Sequence, residues 1–144
     1  MNYGIFAHVY NELMDDETFK QWRDYVINHI KPGASILELG CGNGQLGILL
    51  TESGYDFTGL DLSDEMLSLA QVRQEEADVE FPLIQGDMRD LSGFSEFDAI
   101  ISFCDSLCYL PTKSDMETTF VEVHTHLKKD GFFLFDVFTT EHIE

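Results

Sequence analysis

Basic side chains are what this chain has least of: 8 lysines and arginines face 27 aspartates and glutamates in 144 residues, for a formal net charge of −19. A field of that sign repels phosphate backbones and favours neutral or cationic partners, so nucleic acid becomes the less favoured ligand class. Screening over about 8 Å at physiological salt still lets a small cluster such as Lys128 and Lys129 act locally. Cysteine is scarce as well. Cys41, Cys104 and Cys108 are odd in number and lack both the paired spacing of a metal site and the pattern of a disulfide framework, which argues against either. No apolar run approaches the ~20 residues that cross a bilayer. The N-terminus around Asn2, Tyr3 and His8 has neither the basic nor the apolar region of a signal peptide, so no membrane association and a cytoplasmic location are expected. Repeats, low-complexity stretches and linkers are also absent. Residues 1–144 therefore read as one domain, and 44% apolar residues suffice for its core.

What is present is an alternation of helical and extended patterns. Ile5, Phe6, Val9, Tyr10 and Leu13 share one helical face; Phe19, Trp22, Val26 and Ile30 share a second, which stops before Lys31-Pro32-Gly33. Residues 1–31 should thus form an N-terminal helical cap. Strands are expected at 35–39, 55–60, 79–84, 97–103 and 132–138, with helices at 45–53, 64–76 and 114–128. The last helix should turn Met116, Phe120, Val123 and Leu127 inward and leave His124 and His126 on the surface. Such alternation describes an α/β, Rossmann-like doubly wound parallel sheet with helices on both faces and right-handed crossovers. Ligands then gather at the carboxyl ends of the strands.

The most informative segment is Glu38-Leu39-Gly40-Cys41-Gly42-Asn43-Gly44, where a short strand spills into a loop with glycine at every second position. Side chains are missing where a ligand must approach the backbone, and a helix opening at Gln45 aims its N–H groups there. Gly42 to Gly47 also satisfies the G-x-G-x-x-G dinucleotide fingerprint, so a nicotinamide-dependent oxidoreductase stays open on spacing alone. Glu38, just before the end of the first strand, and Asp61 and Asp87, just after the ends of the second and third, put three acids around one crevice. A pyrophosphate would be repelled there, whereas an ammonium, a ribose diol and an adenine amine would be held. Two of these acids also have a plainer role: Asp61 with Ser63 and Asp64 in helix capping, Asp87 in a turn.

In these residues the chain resembles the class I S-adenosylmethionine-dependent methyltransferases. The resemblance rests on Glu38 to Gly44, on Asp61, on Gly86-Asp87-Met88 and on Phe103-Cys104-Asp105-Ser106. The opening Phe6 to Met14 further looks like a bacterial small-molecule-type subgroup whose first helix covers the cofactor. It implies S-adenosyl-L-methionine as cofactor, with Glu38, Gly40, Cys41 and Gly42 at its methionine end, Asp61 on the ribose hydroxyls and Leu62 packed on adenine. Asp87 would accept from the adenine amine, Met88 would offer its backbone amide, and Phe103 and Cys104 would floor the methyl site. Tyr10 is a cation–π candidate for the sulfonium. Asn11 stands where the family often has aspartate. Met88 and Phe103 suit a core equally well, and Cys41 reads as a small residue that fits its place.

The implied reaction is in-line displacement, which needs little acid–base machinery. Asp105 and Tyr109 are base candidates by position alone, so the catalytic residues stay unassigned. A small molecule or a protein is the favoured acceptor. A non-catalytic cofactor-binding domain is the remaining alternative. The implied sheet order is 3-2-1-4-5 without the last two strands of the full fold, so C-terminal truncation is expected. The apolar run Phe132 to Phe138 reads as a strand buried on both faces; left bare, its edge would invite homodimerisation.

Overall fold

Residues 16–103 and 110–135 are described by the structure, a computed structural model. The expected first helix with Tyr10 and Asn11, together with Cys104, Asp105, Tyr109 and residues 136–138, lies outside the described residues. The order is α1 (Asp16–His29), β1 (Ser35–Leu39), α2 (Gln45–Glu52), β2 (Asp56–Asp61), α3 (Asp64–Ala77), β3 (Leu83–Gln85), β4 (Phe97–Ser102), α4 (Lys113–Thr125) and β5 (Leu127–Phe135). The strands form one sheet in the order β3-β2-β1-β4-β5, every neighbouring pair parallel. This is the expected Rossmann-like arrangement.

Alternation along β1 divides the core between the two faces of the sheet. Ile36 joins Val26, Ile30, Leu46, Leu50 and Phe57 under α1 and α2, while Leu37 and Leu39 join Leu60, Leu91, Ile100 and Val123 under α4. Close approach of α2 depends on Gly47. A Cβ at that position would stand 2.5 Å from Phe57 Cε1 and 2.8 Å from Phe81 Cζ. On the same side α1 is held by the Tyr55 hydroxyl, which donates to the Ile30 carbonyl at 2.7 Å, and by Trp22 stacked on Phe103 with centroids 5.5 Å apart. At the opposite end of the sheet, Asp98 Oδ2 accepts from the backbone N–H of Ser35 at 2.8 Å and from its hydroxyl at 3.1 Å, joining the starts of β1 and β4.

Several expected boundaries move, each for a local reason. The third strand does not run from Val79 to Ile84; only Leu83–Gln85 pairs. Upstream, the Gln74 amide takes the place of a neighbouring strand, accepting from Phe81 N–H at 3.1 Å and donating to Phe81 C=O at 3.2 Å, and Pro82 has no N–H to give. The last helix ends at Thr125, not Lys128, because β5 begins pairing at Leu127, opposite Phe97. His126, expected on the surface, is instead buried in the turn between them, its Nδ1 2.9 Å from the Glu122 carbonyl. Phe120, expected inward, is partly exposed and packs edge-on against Phe133 and Phe135. Nor is the fifth strand buried on both faces: Phe132 is 50% and Phe135 43% exposed, since β5 is the outer strand among the described residues. The fifth strand also starts at Leu127, five residues before the expected 132, and the other described strand and helix ends of the alternating region shift by at most one residue.

Candidate functional site

The site grows out of the β1–α2 turn. Gly40, Gly42 and Gly44 take φ of +73°, +56° and +80°, so the alternate glycines are the residues that turn the chain into the helix. The N–H groups of Gly40 and Cys41 both donate to the Leu60 carbonyl, at 2.8 and 2.9 Å, which pins the loop to the end of β2. A side chain added at Gly42 would meet no protein atom within 4 Å, so the loop's backbone faces open space.

Asp61 closes this arrangement. Its Oδ2 accepts from Gly42 N–H at 2.8 Å and its Oδ1 from Ser63 N–H at 2.9 Å, while the Ser63 hydroxyl caps α3 by accepting from Met66 N–H at 3.2 Å. The cap of α3 is therefore Ser63, and the Asp61 carboxylate holds the capping residue and the glycine loop by their backbone N–H groups. Although only 6% exposed, Asp61 lines the cleft, and two accepted bonds leave about half of a carboxylate's acceptor capacity unused.

Behind the loop lie Cys41 and Glu38. Burial pushes the Cys41 thiol far up, and the charges of Glu38 and Asp61 push it further, so it is no nucleophile. It acts as a wedge: a Cβ on Gly59 would lie 2.8 Å from its Sγ, and so β2 carries glycine there. Glu38 is 3% exposed and sits opposite Gly59 and Ile101 in the neighbouring strands.

A cleft of about 400 Å³ opens over the ends of β1, β2 and β3. It is lined by Gly40, by Leu60, Asp61, Leu62 and Ser63 at the end of β2, by Gly86, Asp87, Met88 and Arg89 just beyond β3, and by Leu110 and Pro111. The Gly86 N–H donates to the Asp61 carbonyl at 3.0 Å and ties the segment after β3 to the end of β2. Leu62 is 63% exposed, and Met88 packs on the Leu37 side of the core. The cleft thus gathers Gly40, Asp61, Leu62, Asp87 and Met88, with Gly42, Cys41 and Glu38 adjoining it through the loop. Phe103 is buried just beyond β4, under Trp22. Tyr10 and Cys104 lie outside the described residues.

One residue that lines the cleft escaped the sequence reading. Arg89 Nε donates to both oxygens of Asp87, at 2.9 and 3.0 Å, and Arg89 Nη2 reaches Oδ2 at 2.5 Å. The Asp87 carboxyl is held below the usual carboxylate range, first by these side-chain bonds. The crevice is accordingly less acidic than three bare carboxylates would make it. An Asp-x-Arg turn is visible in sequence, but Asp115, which accepts from Arg89 Nη1 at 3.1 Å, is 26 residues away and gives no local sign. Among the described residues no three His, Cys, Asp or Glu side chains are placed to hold a metal ion, and no helix is long and apolar enough to cross a membrane.

Residues 36–131 match a family described as a methyltransferase domain. A putative methyltransferase of Geobacillus sp. (strain WCH70) is 41% identical over 145 residues, which cover 97% of this chain and 59% of that protein. The putative methyltransferase YqeM of Bacillus subtilis (strain 168) is 44% identical over 138 residues, covering 95% and 56%. Among solved structures, an S-adenosylmethionine-dependent methyltransferase from Clostridium acetobutylicum aligns with a TM-score of 0.76 at 31% identity, over 94% of this chain and 57% of that one. The chain spans somewhat over half the length of the curated relatives it matches. Together with a glycine turn and an acid-tipped β2 at the carboxyl edge of a 3-2-1-4-5 sheet, these similarities establish that the chain belongs to the class I S-adenosylmethionine-dependent methyltransferase family.

Proposed function

We propose that this chain binds S-adenosylmethionine in the cleft over β1, β2 and β3 and presents it to a small-molecule or protein acceptor in the cytoplasm. The observation that carries the reading is that Asp61, Asp87 and the side-chain-free Gly40 line one cleft of about 400 Å³. When bound, the sulfonium supplies an activated methyl group that a nucleophile takes by in-line displacement. The protein's part is to bind, orient and keep water away.

Each residue then has a task set by its position. Asp61, held by Gly42 and Ser63 N–H, spends its remaining acceptor capacity on the ribose diol. Leu62 and Met88 offer apolar surface to the two faces of adenine, and Asp87 accepts from its amine. Glu38 biases the region of the loop toward a cationic amino group. Phe103 lies buried just beyond β4 with Trp22 stacked on it, and together they shield that strand end from water. The net charge of −19 favours a neutral or cationic acceptor over nucleic acid.

Calorimetric titration tests this reading. S-adenosylmethionine and S-adenosylhomocysteine should each bind with one-to-one stoichiometry, and NAD should give no heat. Binding of NAD in place of the adenosyl ligands would refute it.

A further inference from the structure

Exposed ion pairs contribute little to stability, so a well-formed one beside a ligand cleft calls for another explanation. Asp87, Arg89 and Asp115 form such a set, with side chains between about a quarter and a third exposed. Their geometry is more ordered than chance pairing on a surface. Asp115 is fixed first: its Oδ2 accepts from the Thr112 hydroxyl at 2.9 Å, and its N–H donates to that hydroxyl at 3.1 Å, at the N-cap that opens α4. Its other oxygen, Oδ1, takes Arg89 Nη1. The guanidinium is thereby held from behind while Nε and Nη2 grip Asp87 in a fork, and the backbone N–H of Arg89 adds a bond to Asp87 Oδ1 at 2.8 Å.

We infer that Arg89 is a positioning residue for base recognition, which orients the Asp87 carboxylate so that it accepts one hydrogen from an exocyclic amine in the cleft. The inference rests on the adenosyl reading above. A carboxylate has about four acceptor sites. The backbone N–H, Nε and Nη2 of Arg89 occupy about three, so Asp87 retains roughly one, at a fixed orientation. A free aspartate would rotate and would suit a carbonyl-bearing base through water almost as well. The fork removes that freedom, since planar two-point pairing fixes the plane of the carboxylate as well as its place. It also offsets the charge that Asp87 would add to a cleft it shares with Asp61, and through Asp115 it ties the segment after β3 to α4.

The test compares S-adenosylhomocysteine with S-inosylhomocysteine, which carries a carbonyl oxygen in place of the amine. Dissociation constants are measured for the unsubstituted protein and for Arg89→Gln, Arg89→Lys and Asp115→Asn. The unsubstituted protein should prefer the amine-bearing ligand by about tenfold, the effect of one charged hydrogen bond. Arg89→Gln should reduce the preference to about twofold or less, Asp115→Asn should fall between, and Arg89→Lys should recover part of it. A tenfold preference surviving in Arg89→Gln overturns the inference while leaving the adenosyl reading intact, even if both affinities drop together. Failure of the unsubstituted protein to bind either ligand overturns that reading and the inference with it.

Discussion

Removing the Asp61 carboxylate should damage the fold and the ligand site by separable amounts. Asp61→Ala strips the acceptor from Gly42 N–H and from Ser63 N–H, bonds of 2.8 and 2.9 Å to an ionised group. Such bonds are worth about 1.5 to 3 kcal/mol each. Both donors lie in half-buried loop residues that water can reach, and loss of the charge relieves repulsion with Glu38 beside Cys41. A net loss of about 2 kcal/mol is therefore expected, which for a domain of this size lowers Tm by about 6 °C. Ligand binding is weakened separately, because the same group is assigned to both ribose hydroxyls; affinity for S-adenosylhomocysteine should drop at least tenfold, from about 1.5 kcal/mol upward. Asp61→Asn keeps one acceptor but turns an NH2 toward the second donor, so its Tm should fall about half as far. Thermal unfolding followed by circular dichroism, with and without ligand, separates the two effects. An unchanged Tm for Asp61→Ala would refute the latch, and an unchanged ligand affinity would refute the ribose assignment.

Two further predictions address packing and pH. Helix propensity alone says that Gly47→Ala stabilises by about 1 kcal/mol, whereas a Cβ at 2.5 Å from Phe57 and 2.8 Å from Phe81 forces repacking that costs about 1 to 3 kcal/mol; Tm should fall, and a rise would show that α2 can retreat freely. Asp98 is held below the ordinary carboxylate range, first by the Ser35 N–H and then by its hydroxyl and Lys128. A folded-state value below the unfolded one stabilises above about pH 4 and is lost as pH falls through the folded value. Asp98→Asn should therefore lower stability at pH 7 and flatten the acid limb of a stability-against-pH curve; a parallel downward shift at every pH would contradict this.

The strand order and the glycine turn were legible because both rest on local, repeated signals: Ile36, Leu37 and Leu39 in a five-residue strand, then glycine at alternate positions. Less legible was whatever depends on a side chain replacing backbone. Gln74 satisfies Phe81 and so shortens the third strand, and nothing in a polar residue on an acidic helix announces that role. His126 was misplaced because Leu127 already belongs to β5, leaving it in a buried turn where helical spacing had put it on an outer face. In the site, Asp61 and Asp87 could be named from their strand ends, since the sheet dictates what lies there. Arg89 could not, because its meaning comes from Asp115, brought close only by the packing of α4.

The most direct measurement is a crystal structure of the protein grown with S-adenosylhomocysteine. The account predicts density for the adenosyl group between Asp61 and Asp87, with the ribose hydroxyls on Asp61 and the thioether end over Gly40 and Gly42. Density at the opposite edge of the sheet, in the hollow lined by Asp56, Pro82 and Lys128, would contradict it.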